Sequence, residues 1–382
     1  MENKKQNKNI VHIVHVHGRF YPYMGGSTFR LLNLLNGINK QNSNFYFTVL
    51  CEKHAKNLPY NEILSPNIEI IRFKNYFNIP SILFKISKQK KIHIIHAHNY
   101  RPLLFASFFN FFSKIPIIAE MHAVYKTSPL KQIIGNILLK RANVVIVLSN
   151  KSREYLSKEY KIRKNKIRIV YNGIDINLFN KHKIKLEKMI NYKKMFNFLS
   201  KFRLKVAYIG SLHEWQGVHN FIKIVKKISL KNKDIGFLIV GDGPEYSKIK
   251  KDIENYSLYN KVFIRHAIPH NDIPSIYKKI DILLMPRIST LATETAIPLK
   301  PLEALASGKT VVGTNVGGLI DLQKYFPKNI FLFNSIQKIS SFIKNVKKNK
   351  LKKEIPREIS FFSDSLQAKR LIKIYNTIQI NN

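Results

Sequence analysis

Acidic side chains are scarce in this sequence. Its 382 residues include 23 aspartates and glutamates against 65 lysines and arginines, which gives a formal net charge of +42. Cysteine occurs once, at Cys51, which excludes an internal disulfide framework and is typical of a reducing compartment. No apolar signal-peptide core follows the polar residues 1–8. The most apolar run, residues 103–112, is far shorter than the about 20 residues that cross a bilayer. We therefore expect a cytoplasmic protein that is not an integral membrane protein.

The excess of positive charge attracts phosphate-rich partners. Heavy use of Lys, Asn, Ile, Phe and Tyr is typical of AT-rich codon bias, but such bias does not explain the shortage of acids. Three explanations stay open: an anionic membrane surface, compositional drift and nucleic acid. Lys and Arg flank aliphatic residues in 85–91, beside 103–112 and in 126–141, which favours the membrane. No nucleic-acid-binding motif accompanies the charge, so nucleic acid is not an expected partner.

Hydrophobic periodicity predicts an α/β protein with two domains. The chain exceeds the roughly 250–300 residues at which single cores stop growing. Short β-branched runs alternate with amphipathic stretches, as in βα units with parallel sheets. The predicted strands are 10–16, 46–50, 68–71, 93–96, 117–119 and 144–148, then 205–209, 236–240, 262–264, 281–285, 310–312 and 329–332. A lysine-rich stretch, 181–205, is interpreted as an insertion or an exposed helix. The pattern favours two Rossmann-like halves with a ligand cleft between them.

Residues 298–318 are the most informative segment. They predict a loop, a short helix carrying Lys300 and Glu303, a stop at Gly308, a buried strand and a tight Gly-Gly turn ending at Gly318. The start of a helix presents unpaired N–H groups and the positive end of the helix dipole, which suits a phosphate. Glu303, one turn further on, is placed to bond the hydroxyls of a ribose or sugar.

This segment resembles the donor-nucleotide loop of retaining glycosyltransferases of family 4, which have the GT-B fold. The Pro-Leu-Lys-Pro-Leu-Glu signature at 298–303 is similar to one subgroup, and the resemblance covers nearly the whole chain. It implies an acceptor domain at 1–172, a nucleotide-sugar domain at 173–358 and a helix in 359–382 that crosses back to the first domain. Both domains are expected to be Rossmann-like, with parallel sheets facing across a cleft.

Three other motifs match family loops. Gly25 and Gly26 follow the first strand and open a helix, where the family's backbone amides approach the donor diphosphate. Asn-Gly-Ile-Asp at 172–175 is similar to the interdomain hinge, a structural role. Gly-Asp-Gly-Pro at 241–244 resembles a turn from strand to helix, which supports the fold more than the mechanism.

Histidines follow two predicted strands at the edge where parallel sheets bind ligands. His98 follows the fourth strand and His122 follows the fifth. In the family, a histidine at the position of His122 lies close to the donor sugar, whereas the position of His98 is often structural. A satisfied packing residue is the alternative for each. No third ligand with defensible spacing is apparent in the sequence, so no metal site is expected.

The expected diphosphate site departs from the common family pattern. Where the family has an Arg and a Lys after the first strand of the second domain, this chain has Ser211 and Gln216. The amides of Gly210 and Ser211 remain available. We expect Arg287 and Lys300 to replace the missing cations, as a bidentate guanidinium and a point-charge ammonium.

The paired glutamates of the family are also shifted. Glu294 lies nine residues before Glu303, where the common spacing is eight, and Thr295 occupies the usual position. We expect Glu294 to contact the donor sugar and Glu303 the ribose. The resemblance thus implies His122 and Glu294 as catalytic residues. The expected donor-binding residues are Gly26, Gly210, Ser211, Arg287, Leu299, Lys300 and Glu303.

The implied reaction is transfer of a hexose-like sugar from a nucleotide-diphosphate sugar to an acceptor hydroxyl, with retention and without an essential metal or other cofactor. The implied acceptor is a glycan or lipid-linked glycan in cell-envelope polysaccharide, lipopolysaccharide or capsule assembly. The protein is expected at the inner face of the cytoplasmic membrane. Two alternatives stay open: a nucleotide-sugar-binding protein without catalysis, given Ser211, Gln216 and Thr295, and a basic nucleic-acid-binding protein.

Overall fold

The computed structural model describes residues 10–41, 44–125, 128–181, 186–230 and 232–380. The chain divides into two compact units, residues 1–173 with 364–382, and residues 174–363. Each unit contains a predominantly parallel sheet with helices between successive strands. The predicted α/β class with two Rossmann-like domains is therefore confirmed.

The strands alternate with helices along the chain. The strands are β1 (Val11–Val16), β2 (Phe45–Glu52), β3 (Asn61–Ser65), β4 (Ile68–Phe73), β5 (Ile94–His98), β6 (Ile117–Met121), β7 (Val144–Val147), β8 (Ile167–Ile169), β9 (Leu204–Ile209), β10 (Ile235–Val240), β11 (Val262–Arg265), β12 (Ile282–Met285), β13 (Thr310–Thr314) and β14 (Ile330–Phe333).

The helices are α1 (Gly26–Asn39), α2 (Ile79–Gln89), α3 (Tyr100–Ser113), α4 (Pro129–Arg141), α5 (Asn150–Glu159), α6 (Ile176–Lys181), α7 (Leu186–Ser200), α8 (Val218–Ser229), α9 (Tyr246–Asn255), α10 (Ile273–Lys279), α11 (Leu291–Thr295), α12 (Leu299–Ala306), α13 (Gly317–Tyr325), α14 (Ile336–Asn345) and α15 (Asp364–Ile380). Within the described ranges, no helix combines the length and apolar character needed to span a membrane.

The sheet of the first unit has the order β3-β4-β2-β1-β5-β6-β7-β8. All its pairs are parallel except that of β3 with β4. Each predicted strand of this half is present, whereas β3 and β8 were not predicted. β3 is a polar edge strand, and β8 has three residues, so neither carries a long β-branched run.

The sheet of the second unit has the order β11-β10-β9-β12-β13-β14 and is parallel throughout. β10 is buried along its full length, which explains its unbroken apolar sequence Ile-Gly-Phe-Leu-Ile-Val. The strand order reverses between β9 and β12, and in the first sheet between β1 and β5. Ligands of open α/β sheets bind beyond the carboxyl ends of the strands at such points.

Three details of the prediction need correction. Gly317 and Gly318 begin α13 and do not form a tight turn. Within the lysine-rich stretch, α7 packs into its unit through Met195 and Leu199 and so is not simply exposed; residues 182–185 lie outside the described ranges. The terminal helix begins at Asp364, because residues Arg357–Phe362 form a 3-10 helix.

Candidate functional site

Six side chains of the first unit form one polar layer on a single face of its sheet. Residues two apart on a strand share a face. The strands pair with His15 opposite His96 and with His98 opposite Glu120. The layer, called here the imidazole layer, consists of His15, His17, His96, His98, Glu120 and His122.

Glu120 is the only carboxylate in this layer, and Arg30 neutralises it. Arg30 Nε lies 2.9 Å from Oε1 and Nη2 lies 3.1 Å from Oε2, which is a bidentate pair. The same guanidinium donates to the carbonyl of Tyr171 at 2.7 Å. Burial alone would raise the pKa of Glu120, but the Arg30 guanidinium and the neighbouring imidazoles hold it well below its usual range. The carboxylate is therefore ionised and fixed.

His122 is oriented by this fixed carboxylate. Its Nε2 lies 2.7 Å from Glu120 Oε1 and 3.1 Å from His98 Nδ1. Its backbone N–H donates to the side chain of Asn99 at 3.1 Å. The other ring nitrogen, Nδ1, is buried and has no hydrogen-bond partner. The structure thus places the predicted catalytic histidine at the carboxyl end of β6 with one nitrogen available.

The deeper histidines bond to one another and to α15. His15 Nδ1 lies 2.9 Å from His98 Nε2, and His96 Nδ1 lies 2.9 Å from the hydroxyl of Tyr375. Burial lowers the pKa of all three rings, and it lowers the pKa of His17 to about 3. These imidazoles are therefore neutral at neutral pH.

His17 is a residue that the sequence analysis missed. It follows β1 on the same face as His15, and its ring centroid lies 4.9 Å from that of His98. One ring nitrogen from each of His17, His98 and His122 lies within 4.8 Å of the other two. The sequence shows no third histidine at metal-site spacing because the three residues come from separate strands. The signal in the sequence was His-Val-His at 15–17. His15 and His17 share one face of the sheet, and the pairing of β1 with β5 brings the His17 ring close to that of His98.

The helix that follows β1 begins without a side-chain cap. Gly25 is the residue before α1 and makes no capping bond, and the position of a Cβ on Gly26 has no atom within 4 Å. The first turn of α1 therefore has no side-chain cap, and a side chain at Gly26 would meet open space. The predicted Gly-Gly opening of the first helix is present, and its contact with a diphosphate stays a prediction.

In the second unit, α12 also begins without a side-chain cap. Pro298 precedes the helix and makes no capping bond, so the N–H groups of Leu299 and Lys300 lie in an uncapped first turn. Gly308 ends the helix with a φ of 66°. The predicted short helix carrying Lys300 and Glu303, its stop and the strand that follows are all present.

Glu303 is 2% exposed and is surrounded by donors. Lys300 Nζ lies 2.9 Å from Oε2 and 3.2 Å from Oε1. His270 Nε2 lies 3.3 Å from Oε1, and the Tyr277 hydroxyl lies 3.3 Å from Oε2. Burial alone would raise the pKa of Glu303, but Lys300 and His270 lower it to about 2. His270 and Tyr277 were not predicted, because no local motif links them to Glu303.

Glu294 joins two helices of the second unit. Its Oε2 accepts the backbone N–H of Gly317 at 2.7 Å, and its Oε1 accepts the Ser289 hydroxyl at 2.8 Å. The carboxylate therefore lies at the start of α13, where it complements the helix dipole. Both of its oxygens are engaged in this structure, and its contact with a donor sugar stays a prediction.

The loops after β9 and β12 pack side by side. Ile288 donates its N–H to the carbonyl of Trp215 at 3.1 Å. Ser211 is exposed, and its carbonyl accepts the Tyr208 hydroxyl at 2.7 Å. Arg287 is buried, with Nη1 3.4 Å from the carbonyl of Ala296. These loops place the predicted Gly210, Ser211 and Arg287 at the reversal of strand order. Arg287 contacts the carbonyl of Ala296 and Lys300 contacts Glu303, so the two cations have different partners.

Both halves of the chain match known protein families. Residues 24–178 match the family described as Glycosyltransferase Family 4, and residues 193–360 match Glycosyl transferases group 1. A relative, 2-deoxystreptamine glucosyltransferase of Streptomyces kanamyceticus, is 22% identical over 236 residues, 61% of this chain and 59% of that protein. The chain thus spans about three fifths of the length of this relative.

A second relative and a solved structure extend the comparison. The GPI3 subunit of phosphatidylinositol N-acetylglucosaminyltransferase of Saccharomyces cerevisiae (strain YJM789) is 22% identical over 325 residues, 80% of this chain and 68% of that protein. Anabaena HepE, solved in complex with UDP and glucose, superposes with a TM-score of 0.75 at 17% identity, covering 96% of this chain and 100% of that one. At this identity the superposition shows the shared fold.

Proposed function

We propose that this chain, which carries a Glycosyltransferase Family 4 domain and a Glycosyl transferases group 1 domain on a GT-B fold, transfers a sugar from a nucleoside diphosphate sugar to an acceptor hydroxyl. The observation that carries the proposal is the start of α12: an uncapped helix end with Lys300 held over the buried carboxylate of Glu303. The structure of HepE with UDP and glucose supports a nucleotide-sugar donor.

The donor diphosphate binds at the first turn of α12. The amides of Leu299 and Lys300 donate to its oxygens, and the Lys300 ammonium adds a full charge. Glu303 holds that ammonium in place, since Lys300 Nζ contacts both carboxylate oxygens. Arg287, Gly210 and Ser211 supply further donors from the loops after β12 and β9, and Gly26 does so from α1. These groups stabilise the leaving diphosphate without a metal ion.

The ribose binds beside Glu303. Both carboxylate oxygens already accept bonds from Lys300, His270 and Tyr277. The contacts of His270 and Tyr277, each at 3.3 Å, are the longest. A ribose hydroxyl therefore takes the place of one of these two donors and leaves the lysine pair intact.

The transferred sugar contacts His122 and Glu294 in this proposal. His122 is anchored to Glu120 through Nε2, which leaves Nδ1 to bond a sugar hydroxyl. Glu294 contacts the sugar when its Oε1 releases the Ser289 hydroxyl and accepts a sugar hydroxyl in its place. The reaction retains the anomeric configuration by attack on the front face. A donor phosphate oxygen receives the acceptor proton, so no protein general base is required.

The acceptor is a glycan on a lipid carrier or lipid core, in cell-envelope, lipopolysaccharide or capsule assembly on the inner face of the cytoplasmic membrane. The physical support is an exposed apolar surface on α3 and α4, called here the aromatic patch. It consists of Phe108, Phe111, Phe112, Leu130, Ile133 and Ile137.

Cations accompany the aromatic patch on α4. Arg141 lies over the ring of Phe111 at 5.8 Å, and Lys131 and Lys140 are on the same helix. Apolar side chains beside cations suit an anionic leaflet. The GPI3 subunit belongs by name to an enzyme that acts on phosphatidylinositol, which agrees with a lipid acceptor. Lys126, part of the predicted basic stretch 126–141, lies outside the described ranges.

Release of nucleoside diphosphate from a panel of donor sugars tests the function. Each donor is offered with a membrane extract as acceptor, and with 2-deoxystreptamine as a soluble acceptor, since that compound is named in a relative. We expect release from one donor that depends on the lipid fraction and products that keep the anomeric configuration. Donor binding without release from any donor would favour a protein that binds nucleotide sugars and has no catalysis.

Two lysine variants assign the diphosphate site. Lys300→Ala should weaken nucleoside diphosphate affinity by about 10-fold or more, because a charge-assisted contact of roughly 1.5–3 kcal/mol is lost. Lys324→Ala is the matched control, since Lys324 pairs with Asp321 at the same three-residue spacing on α13. Equal affinity of both variants would remove Lys300 from the site.

A further inference from the structure

The imidazole layer leaves four buried nitrogens without a hydrogen-bond partner. They are Nδ1 and Nε2 of His17, Nδ1 of His122 and Nε2 of His96. The His17 side chain is 2% exposed, and the backbone of Arg19 lies near its ring without meeting hydrogen-bond geometry. Buried polar groups in proteins are nearly always bonded. The unpartnered ring of His17, which lies next to the rings of His98 and His122, therefore indicates a missing ligand.

We propose that His17, His98 and His122 form a binding site for a divalent transition metal ion, with zinc as the best match. The three rings offer ligand atoms within 4.8 Å of one another. Nitrogens bound to one tetrahedral zinc ion at about 2.0–2.1 Å lie roughly 3.4 Å apart. The three rings therefore have to move closer together by side-chain rotation when the ion binds. An all-imidazole ligand set suits zinc, copper or nickel and is unsuited to magnesium or calcium.

The neighbours of these rings have the arrangement of an outer shell. Glu120 bonds His122 Nε2, so Nδ1 is the nitrogen left to bind a metal. Arg30 in turn fixes Glu120 through two bonds. A carboxylate behind a ligating histidine sets its tautomer and raises its basicity as a ligand. The rings of His17 and His98 are buried, and the ring of His122 is partly buried.

The adjacent triplet His15, His96 and His98 has comparable spacing but is a poorer site. His15 Nδ1 bonds His98, and His15 Nε2 lies 3.4 Å from the hydroxyl of Tyr375, so only Nε2 of His96 is unpartnered there. A metal at this triplet would break bonds at both His15 and His98. At the first triplet only His98 has to exchange a partner, because His17 and His122 each have an unpartnered nitrogen that can bind the ion. The choice of His17, His98 and His122 follows from this difference.

Zinc at this site withdraws His122 from the donor sugar. This consequence rests on the proposed function, in which Nδ1 of His122 bonds a sugar hydroxyl. The transferase reaction itself uses no metal, so zinc acts as an inhibitor. Metal binding is measured without any transferase assay, and a failure of the proposed function is therefore distinguishable from a failure of the metal site.

Isothermal titration of the chelator-stripped full chain with zinc tests the site directly. We expect one zinc ion per chain, and cobalt in its place should give the d–d absorption of a low-symmetry nitrogen site. His17→Gln should weaken zinc affinity about 100-fold or more, since changes in the outer shell alone weaken it 10–100-fold. Circular dichroism confirms that the variant folds. If the titration shows no saturable zinc binding, the proposal is wrong and the imidazole layer is only a hydrogen-bonded structural feature.

A control histidine separates this site from adventitious binding. His12 is also buried in β1 but lies on the opposite face, where it bonds Thr48 at 2.7 Å. His12→Gln should keep the zinc affinity of the wild type. Wild-type transferase should lose activity at saturating zinc, and His17→Gln should resist it. Equal zinc affinity of the two variants, or a wild type indifferent to bound zinc, would contradict the assignment.

Discussion

Arg30 binds both oxygens of Glu120 at 2.9 and 3.1 Å in the interior of the first unit. The two residues are 90 positions apart in the sequence, and both side chains are essentially inaccessible to solvent. The pair connects α1 to the end of β6 and determines which way the ring of His122 points.

Glu120→Gln should destabilise the protein by about 3–5 kcal/mol, because it leaves the buried guanidinium of Arg30 without its counter-charge. The matched control is Glu52→Gln. Glu52 lies 4.0 Å from the exposed Arg19, and exposed pairs contribute less than about 1 kcal/mol. Urea unfolding of both variants measures the difference. A loss at Glu120 no larger than that at Glu52 would contradict the pairing.

Glu303 should make stability depend on pH in the acid range. Its folded pKa of about 2 lies below the reference value of 4.5, so its ionised form stabilises the folded state. This contribution, roughly 3 kcal/mol, is present above pH 4.5 and is lost as the pH falls towards 2. Glu303→Gln should flatten the stability profile between these values. Denaturant titrations at several pH values test this, with Glu358→Gln as an exposed control; an unchanged slope would refute it.

Gly217→Ala should destabilise the second unit by about 2 kcal/mol or more. Gly217 has a φ of 73°, and a Cβ there would lie 1.8 Å from the carbonyl oxygen of Pro286. The loops after β9 and β12 would have to separate. Gly26→Ala is the control for stability, since a Cβ at that position meets no atom within 4 Å. Thermal unfolding compares them, and similar midpoints would show that the two loops do not pack as described.

Replacing two aromatic side chains should release the protein from membranes. Phe112 is 83% exposed and Phe111 is also exposed, so a double change to serine should leave folding intact. We expect flotation with anionic liposomes to fall several-fold, because about 1.5–3 kcal/mol is lost for each phenylalanine that inserts. Leu230→Ser, on the exposed end of α8, is the control. Unchanged flotation of the double variant would exclude the aromatic patch as the docking surface.

The sequence predicted the elements of the fold well and their contacts poorly. The strand runs such as 236–240 were recognisable because buried parallel strands are continuously apolar. The helix at Lys300 was recognisable from its loop, its spacing and Gly308. β3 escaped because its exposed edge carries polar residues, and Gly317 was mistaken for a turn residue although it begins α13.

The sequence could not predict the contacts of the candidate residues, for a physical reason. His17, His98 and His122 become neighbours only through the pairing of separate strands, whose register a single sequence does not specify. The same holds for His270 against Glu303. Spacing within one segment predicted that Lys300 and Glu303 lie one turn apart on the same helix, where residues three apart are neighbours, although their ion pair was not predicted. Local relationships were therefore predictable, whereas those between strands were not.

Helix α15 has a consequence for biosynthesis. The chain leaves the first unit after Gly173 and returns to it at Asp364, where Leu371 and Tyr375 join the core formed with α1 and β1. Domains generally fold as units while the ribosome is still translating, the earlier one first. Here the first unit cannot complete its core until α15 has been translated, to residue 380. Until then, the apolar face that α15 covers stays exposed. A nascent chain stalled inside the second unit should therefore be a preferred client of ribosome-associated chaperones.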